Sequence, residues 1–295
     1  SVGNSGSNFI ERSQDGGRSW GAPVTINDDT TSGPGGHAFH ALALRPSGEM
    51  YAAWLDSRPG GDHLAADESE GHDASIHLAR SDDHGAHWGE NAALWSRVCP
   101  CCRVSLVVDP FGIPYITFRK HYPGHVRDVV VARPGGEPVR LRVDNWEVGG
   151  CPHSGPPMVL SRDGSLRMAW FTGAEGHAGV YFRQVMPEAI DSTATPVTVL
   201  ASEQLPTVHV DLGEAGMSGT LVAMDADSTG ARQLTLARVA SSGRRLVERF
   251  AVPGTRGASH PKLATSLAGK LAYVVWTQRE GERSTLRIAR WDVGR

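Results

Sequence analysis

No apolar run in the 295 residues approaches the roughly 20 residues that a helix needs to span a bilayer, and no stretch shows the apolar periodicity of an amphipathic helix. A membrane-spanning helix and a helical bundle are both excluded. The 29 Lys and Arg are scattered along a chain of formal net charge −3, so the basic patch that nucleic acid or an anionic membrane requires is missing. Cysteine is scarce, at four residues, too few for a disulfide-stapled miniature scaffold. The chain opens on Ser1 in Gly/Ser-rich sequence without a signal-peptide core, which suggests a processed or truncated start.

What is present is turn material and core material together: 35 Gly, 18 Pro and 8 Trp in a chain that is 40% hydrophobic. A repeat organises them. A short apolar strand ending in Arg recurs six times, at Phe9-Ile10-Glu11-Arg12, His77-Leu78-Ala79-Arg80, Val131-Ala132-Arg133, Tyr181-Phe182-Arg183, Leu236-Ala237-Arg238 and Ile288-Ala289-Arg290. Five of these follow a turn glycine and an alternating run closed by Trp or a substitute: Gly48 to Trp54, Gly112 to Phe118, Gly164 to Trp170, Gly219 to Asp225 and Gly269 to Trp276. Period-two alternation bounded by Gly, Pro and Asp describes antiparallel meanders, and four-stranded meanders repeated around an axis make a β-propeller. The expected fold is therefore all-β, one propeller domain over residues 1–295. Six blades are expected, five being the alternative, with the first blade entered halfway through.

Two turns carry a finer pattern. Ser13-Gln14-Asp15-Gly16-Gly17-Arg18-Ser19-Trp20 and Ser81-Asp82-Asp83-His84-Gly85-Ala86-His87-Trp88 both fit S-x-D-x-G-x-x-W. The aspartates can accept N–H bonds within the turn, Gly17 and Gly85 supply a backbone conformation other residues disfavour, and Trp20 and Trp88 can be buried between sheets. The pattern resembles the Asp-box, or bacterial neuraminidase repeat, of sialidase-like propellers. That resemblance implies a sialidase-like fold with these turns on the face opposite the functional one. Family catalysis would need an arginine triad whose first member sits in a Phe-Arg-Ile-Pro motif. The motif is absent, the nearest string being Thr117-Phe118-Arg119-Lys120, so no catalytic residue carries over and negligible sialoside hydrolysis is expected.

The opposite, upper face should collect the functional groups, because loops on a rigid scaffold usually do. Ten of the 13 histidines fall in its loops. All four cysteines do too: Cys99-Pro100-Cys101-Cys102 opens one blade and Cys151-Pro152-His153 opens the next, which brings the segments together near the channel mouth. Three readings stand. In one, the cysteines are structural disulfides. In another, Cys99, Cys101, Cys102, Cys151 and His153, with His40 or His260, bind a soft metal, copper first and zinc second, since thiolate with imidazole selects those ions. In the third, one disulfide leaves two metal-binding or redox-active thiols.

Arg58, Arg103 and Arg119 could grip an anionic substrate, with His121, Tyr122 and His125 as further contacts. A His- and acid-rich stretch, Asp62 to Asp73, could hold a divalent ion. The leading expectation is a secreted or periplasmic propeller with a copper-binding upper face. The alternatives are a sialidase-type glycosidase acting on an acidic sugar, and a scaffold for protein partners.

Overall fold

A computed structural model describes residues 6–29, 36–58, 74–191, 195–266 and 268–293. It is all-β apart from two single-turn 3₁₀ segments. Four meanders of four strands follow one another: β3–β6 (His37–Leu44, Met50–Asp56, Ala74–Ser81, Ala92–Val98), β7–β10 (Ser105–Val108, Pro114–Tyr122, Val126–Ala132, Val139–Arg140), β11–β14 (Met158–Leu160, Leu166–Thr172, Gly179–Val185, Val197–Ala201) and β15–β18 (Val210–Glu214, Thr220–Met224, Gln233–Val239, Leu246–Arg256). Two incomplete sheets flank them. The pair β1–β2 (Phe9–Ile10, Val24–Thr25) comes before, and the three strands β19–β21 (Ala258–Thr265, Leu271–Glu280, Arg283–Asp292) come after. A single bridge, Val98 to Lys120, joins the first two meanders into one hydrogen-bonded sheet.

Each predicted glycine turn connects the first two strands of a sheet. At Gly219 the requirement is strict: φ is +112° and a Cβ would lie 1.9 Å from the Val239 carbonyl oxygen. The core lies between sheets. Ile116, Phe118 and Val130 of the second meander meet Ala53, Leu55 and Ile76 of the first, and Phe171, Phe182 and Val199 of the third meet Val210, Val222 and Met224 of the fourth. Trp54 and Trp170, which close the second strands, are wholly buried, as the alternation requires.

The two S-x-D-x-G turns form as the sequence implies. Asp15 Oδ1 accepts from the backbone N–H groups of Arg18 and Ser19, each at 2.9 Å, and Asp83 Oδ1 accepts from His87 N at 2.9 Å. Trp88 packs beside Ile10 against Ala52, Trp54 and Ala79. Burial of Trp20 is not observed: it is 61% exposed, because its sheet contributes only β1 and β2 and offers no inner pair to cover the indole.

Candidate functional site at the channel mouth

The segments that open successive sheets converge on one cavity of about 370 Å³. It is lined by His40 from β3, Arg103 to Ser105 leading into β7, His153 and Gly155 to Pro157 ahead of β11, His209 to Asp211 at β15, and His260 to Lys262 in β19. Three of these segments turn inward through residues other than glycine in the left-handed region: Phe39 at φ 54°, His153 at 52° and His260 at 52°. The pairings β3–β4 and β19–β20 both slip there, between Ala38 and Ala41 and between Ser259 and Lys262. Such conformations are costly and persist where the surrounding structure enforces them.

One wall is organised by Asp225, which is completely buried. Its carboxylate accepts from His209 N at 2.7 Å and from His260 N at 3.2 Å, lies 2.7 Å from His209 Nδ1, and pairs with Arg232 Nη1 at 3.0 Å. The bond to Nδ1 leaves Nε2 as the uncommitted ring nitrogen of His209, whose ring stands 3.9 Å from that of His260. Burial, and then the neighbouring His209, hold the His260 pKa below the usual imidazole value. Asp211 is pushed above the usual carboxylate value by burial, against the pull of Lys262, whose Nζ is 3.5 Å away. Asp225 carried a sequence signal: it stands where the other repeats have Trp or Phe.

No cysteine is among the residues lining this cavity; the cysteine group reaches it through His153, which lines it and offers a ring nitrogen within 4.8 Å of the Cys101 and Cys151 sulfurs. Cys99, Cys101 and Cys102 are buried, with Cys99 Sγ 3.6 Å from Cys101 Sγ and 3.5 Å from Cys102 Sγ. All four cysteines are free thiols in this structure, so the disulfide pairing considered from sequence is not formed. Two overlapping groups of donor atoms lie within 4.8 Å of one another: Cys99, Cys101 and Cys102, and Cys101, Cys151 and His153. His40 and His260 line the cavity and belong to neither group. Arg127 Nη1 approaches Cys99 Sγ to 3.4 Å. The Cys101 and Cys102 thiols, with Arg127 behind them, hold the Cys99 pKa far below the ordinary thiol range.

Of the proposed substrate contacts, only Arg103 lines the cavity among the described residues. Arg58 is engaged by Asp56 at 2.8 Å and Asp28 at 2.9 Å. Arg119 is buried and donates to the carbonyls of Arg127, Ser154 and Phe171. His121 stacks on His125 at 6.3 Å, and Tyr122 lies 3.7 Å beneath the Arg140 guanidinium. The stretch Asp62 to Asp73 lies outside the described residues.

Comparison with known proteins gives a consistent fold and little else. No protein-family profile and no curated protein matches the chain. Among solved structures, it resembles the BP39L lectin from Burkholderia pseudomallei at 12% identity and a TM-score of 0.63, over 94% of this chain and 72% of the lectin. It resembles the intramolecular trans-sialidase from Ruminococcus gnavus, solved with oseltamivir carboxylate, at 11% identity and a TM-score of 0.54, over 97% of this chain and 88% of that one. It also resembles the Hadza microbial sialidase Hz136 at 13% identity and a TM-score of 0.52, covering 96% of this chain and spanning only 59% of that protein. These likenesses establish a sialidase-like β-propeller fold. They lend nothing to copper.

Proposed function

We propose that this protein binds an acidic sugar in the channel-mouth cavity. The observation that carries the reading is the lining itself: Arg103 and Lys262 face one concavity with His40, His153, His209 and His260, a donor-rich wall suited to a carboxylate and to sugar hydroxyls. Structures similar to this one include sialidases and a lectin, which supports a glycan ligand over the copper-handling expectation. Asp211 is the sole carboxylate among the lining residues described, whereas glycoside hydrolysis ordinarily requires two. Recognition without sialidase-type turnover is therefore the form the proposal takes. The ring is read as six-bladed within one domain, β1–β2 being the outer half of an incomplete blade, because Ile10 packs on the following sheet as a blade strand would.

The test is calorimetric titration with sialic acid, a uronic acid and a neutral hexose, alongside a fluorogenic sialoside assay. Acidic sugars should bind, and Arg103→Ala and Lys262→Ala should each weaken binding about tenfold, or about 1.4 kcal/mol, the size expected of one charge-assisted hydrogen bond. Equal binding of the neutral sugar, or indifference to both substitutions, overturns the reading. Robust sialoside turnover would replace it with the hydrolase.

A further inference from the structure

The thiol cluster is a second site with different chemistry, and its geometry has two parts. Cys99, Cys101 and Cys102 form a triangle of sulfur donors with side chains no more than 6% exposed. Cys101 also belongs to an outer trio with Cys151 and His153, both of which are exposed. Three thiolates with no fourth donor in the group suit Cu(I), a soft ion content with few sulfur ligands, better than Zn(II), which is almost always tetrahedral in structural sites.

A separate observation points the same way. Arg119 and Arg127 are buried beside the cluster, at 1% and 8% exposure, and their hydrogen bonds run to backbone carbonyls and to Cys99 Sγ; neither pairs with a carboxylate among the described residues. A buried guanidinium without a counter-charge is costly. Three thiolates around one Cu(I) carry a net charge of −2, which would match the two guanidiniums.

We propose that these five residues form a two-position Cu(I) site in which the ion is captured at Cys101, Cys151 and His153, facing the channel, and retained at Cys99, Cys101 and Cys102. Cys101 stays bound throughout. On transfer the bonds to Cys151 Sγ and to the His153 ring nitrogen break, and bonds to Cys99 Sγ and Cys102 Sγ form. The proton released by the Cys102 thiol passes to the vacated Cys151 thiolate, while Cys99 binds as the thiolate it already is and His153 leaves as neutral imidazole, so charge and protons balance and copper keeps its oxidation state. The inference does not depend on sugar binding.

The experiment is anaerobic titration of the reduced full chain with Cu(I) against a chromogenic Cu(I) chelator, giving affinity at equilibrium and the loading rate by stopped flow. Cys99→Ser and Cys102→Ser should each weaken equilibrium affinity by about 100-fold or more, at or beyond the loss typical of a supporting residue. Cys151→Ser and His153→Ala should leave that affinity within about threefold yet slow loading by roughly tenfold, because they remove the capture donors and spare the retention site. X-ray absorption of the one-equivalent complex should report sulfur alone around copper. Absence of Cu(I) binding, preference for Zn(II), or an affinity loss at Cys151→Ser equal to that at Cys99→Ser overturns the proposal, the last in favour of a single four-ligand centre. Should a buried variant fail to fold, the exposed Cys151→Ser variant decides the matter by itself. Sugar titration of metal-free Cys99→Ser keeps the two readings apart, since its sugar affinity should equal that of wild type.

Discussion

The turns after β1 and β5 and the channel mouth are both short polar segments on one scaffold, yet they dispose of their polar groups in opposite ways. In the turns, each aspartate is satisfied by chain within four residues: Asp15 by Ser13, Arg18 and Ser19, and Asp83 by Ser81 and His87. Those carboxylates are engaged by their own turns. At the channel mouth the partners come from far along the chain, Asp225 drawing on His209, Arg232 and His260, and the side chains so held face an open cavity. Local satisfaction builds a turn; long-range satisfaction leaves the Nε2 of His209 available for binding, beside a Lys262 that Asp211 holds at 3.5 Å.

The largest effect should come from Asp225→Ala. The variant removes a fully buried carboxylate and strands Arg232, the backbone N–H groups of His209 and His260 and the His209 ring Nδ1, a loss of about 3 to 5 kcal/mol by the usual cost of breaking a buried charged network. Urea unfolding measures it. A change below about 1 kcal/mol, the range of exposed pairs, would erase the contrast between the two regions.

A second effect follows from His77, buried behind Trp54. Burial holds its pKa below the ordinary imidazole value of 6.5, against the attraction of Asp56. A histidine kept neutral in the fold binds fewer protons than it does unfolded, so its contribution to stability is complete above pH 6.5 and is lost as pH falls below it. The melting temperature should therefore decline from pH 7 to pH 5, as scanning calorimetry would record. His77→Gln, which cannot titrate, should flatten the decline. An unchanged slope in that variant would assign the acid sensitivity elsewhere.

Much of this was legible in the sequence where the controlling interactions are local. The glycine turns at Gly48, Gly112, Gly164, Gly219 and Gly269 join the strands expected of them, and the Arg-ending segments fall in β5, β9, β13, β17 and β21. The meeting of Cys99, Cys101 and Cys102 with Cys151 and His153 was legible as well, because neighbouring sheets place their opening segments side by side. Arg119 was not. Its position at the end of a second strand looked like the upper face, and only the fold reveals that its guanidinium turns inward to cap three carbonyls. His209 and Lys262 were hidden for the same reason: they acquire a role only when five segments, spaced through most of the chain, close around one cavity.

The smallest effect separates the two turns themselves. Asp15 has its pKa drawn down to about 2, chiefly by the Ser19 hydroxyl and then by the Ser19 backbone N–H and Ser13. A depressed carboxylate contributes stability above its unfolded pKa near 3.8 and loses that contribution as pH falls toward about 2. The turn it holds ends in an exposed Trp20, whereas the Asp83 turn ends in Trp88, packed against the sheet through Ile10 and Trp54. Asp83→Ala should thus lower the global melting temperature by several degrees. Asp15→Ala should leave it nearly unchanged and instead speed amide hydrogen exchange at Arg18 and Ser19, because opening the β1–β2 turn exposes little apolar surface. Equal melting losses in the two variants would mean that the two-stranded sheet is as firmly tied to the ring as the complete meanders are.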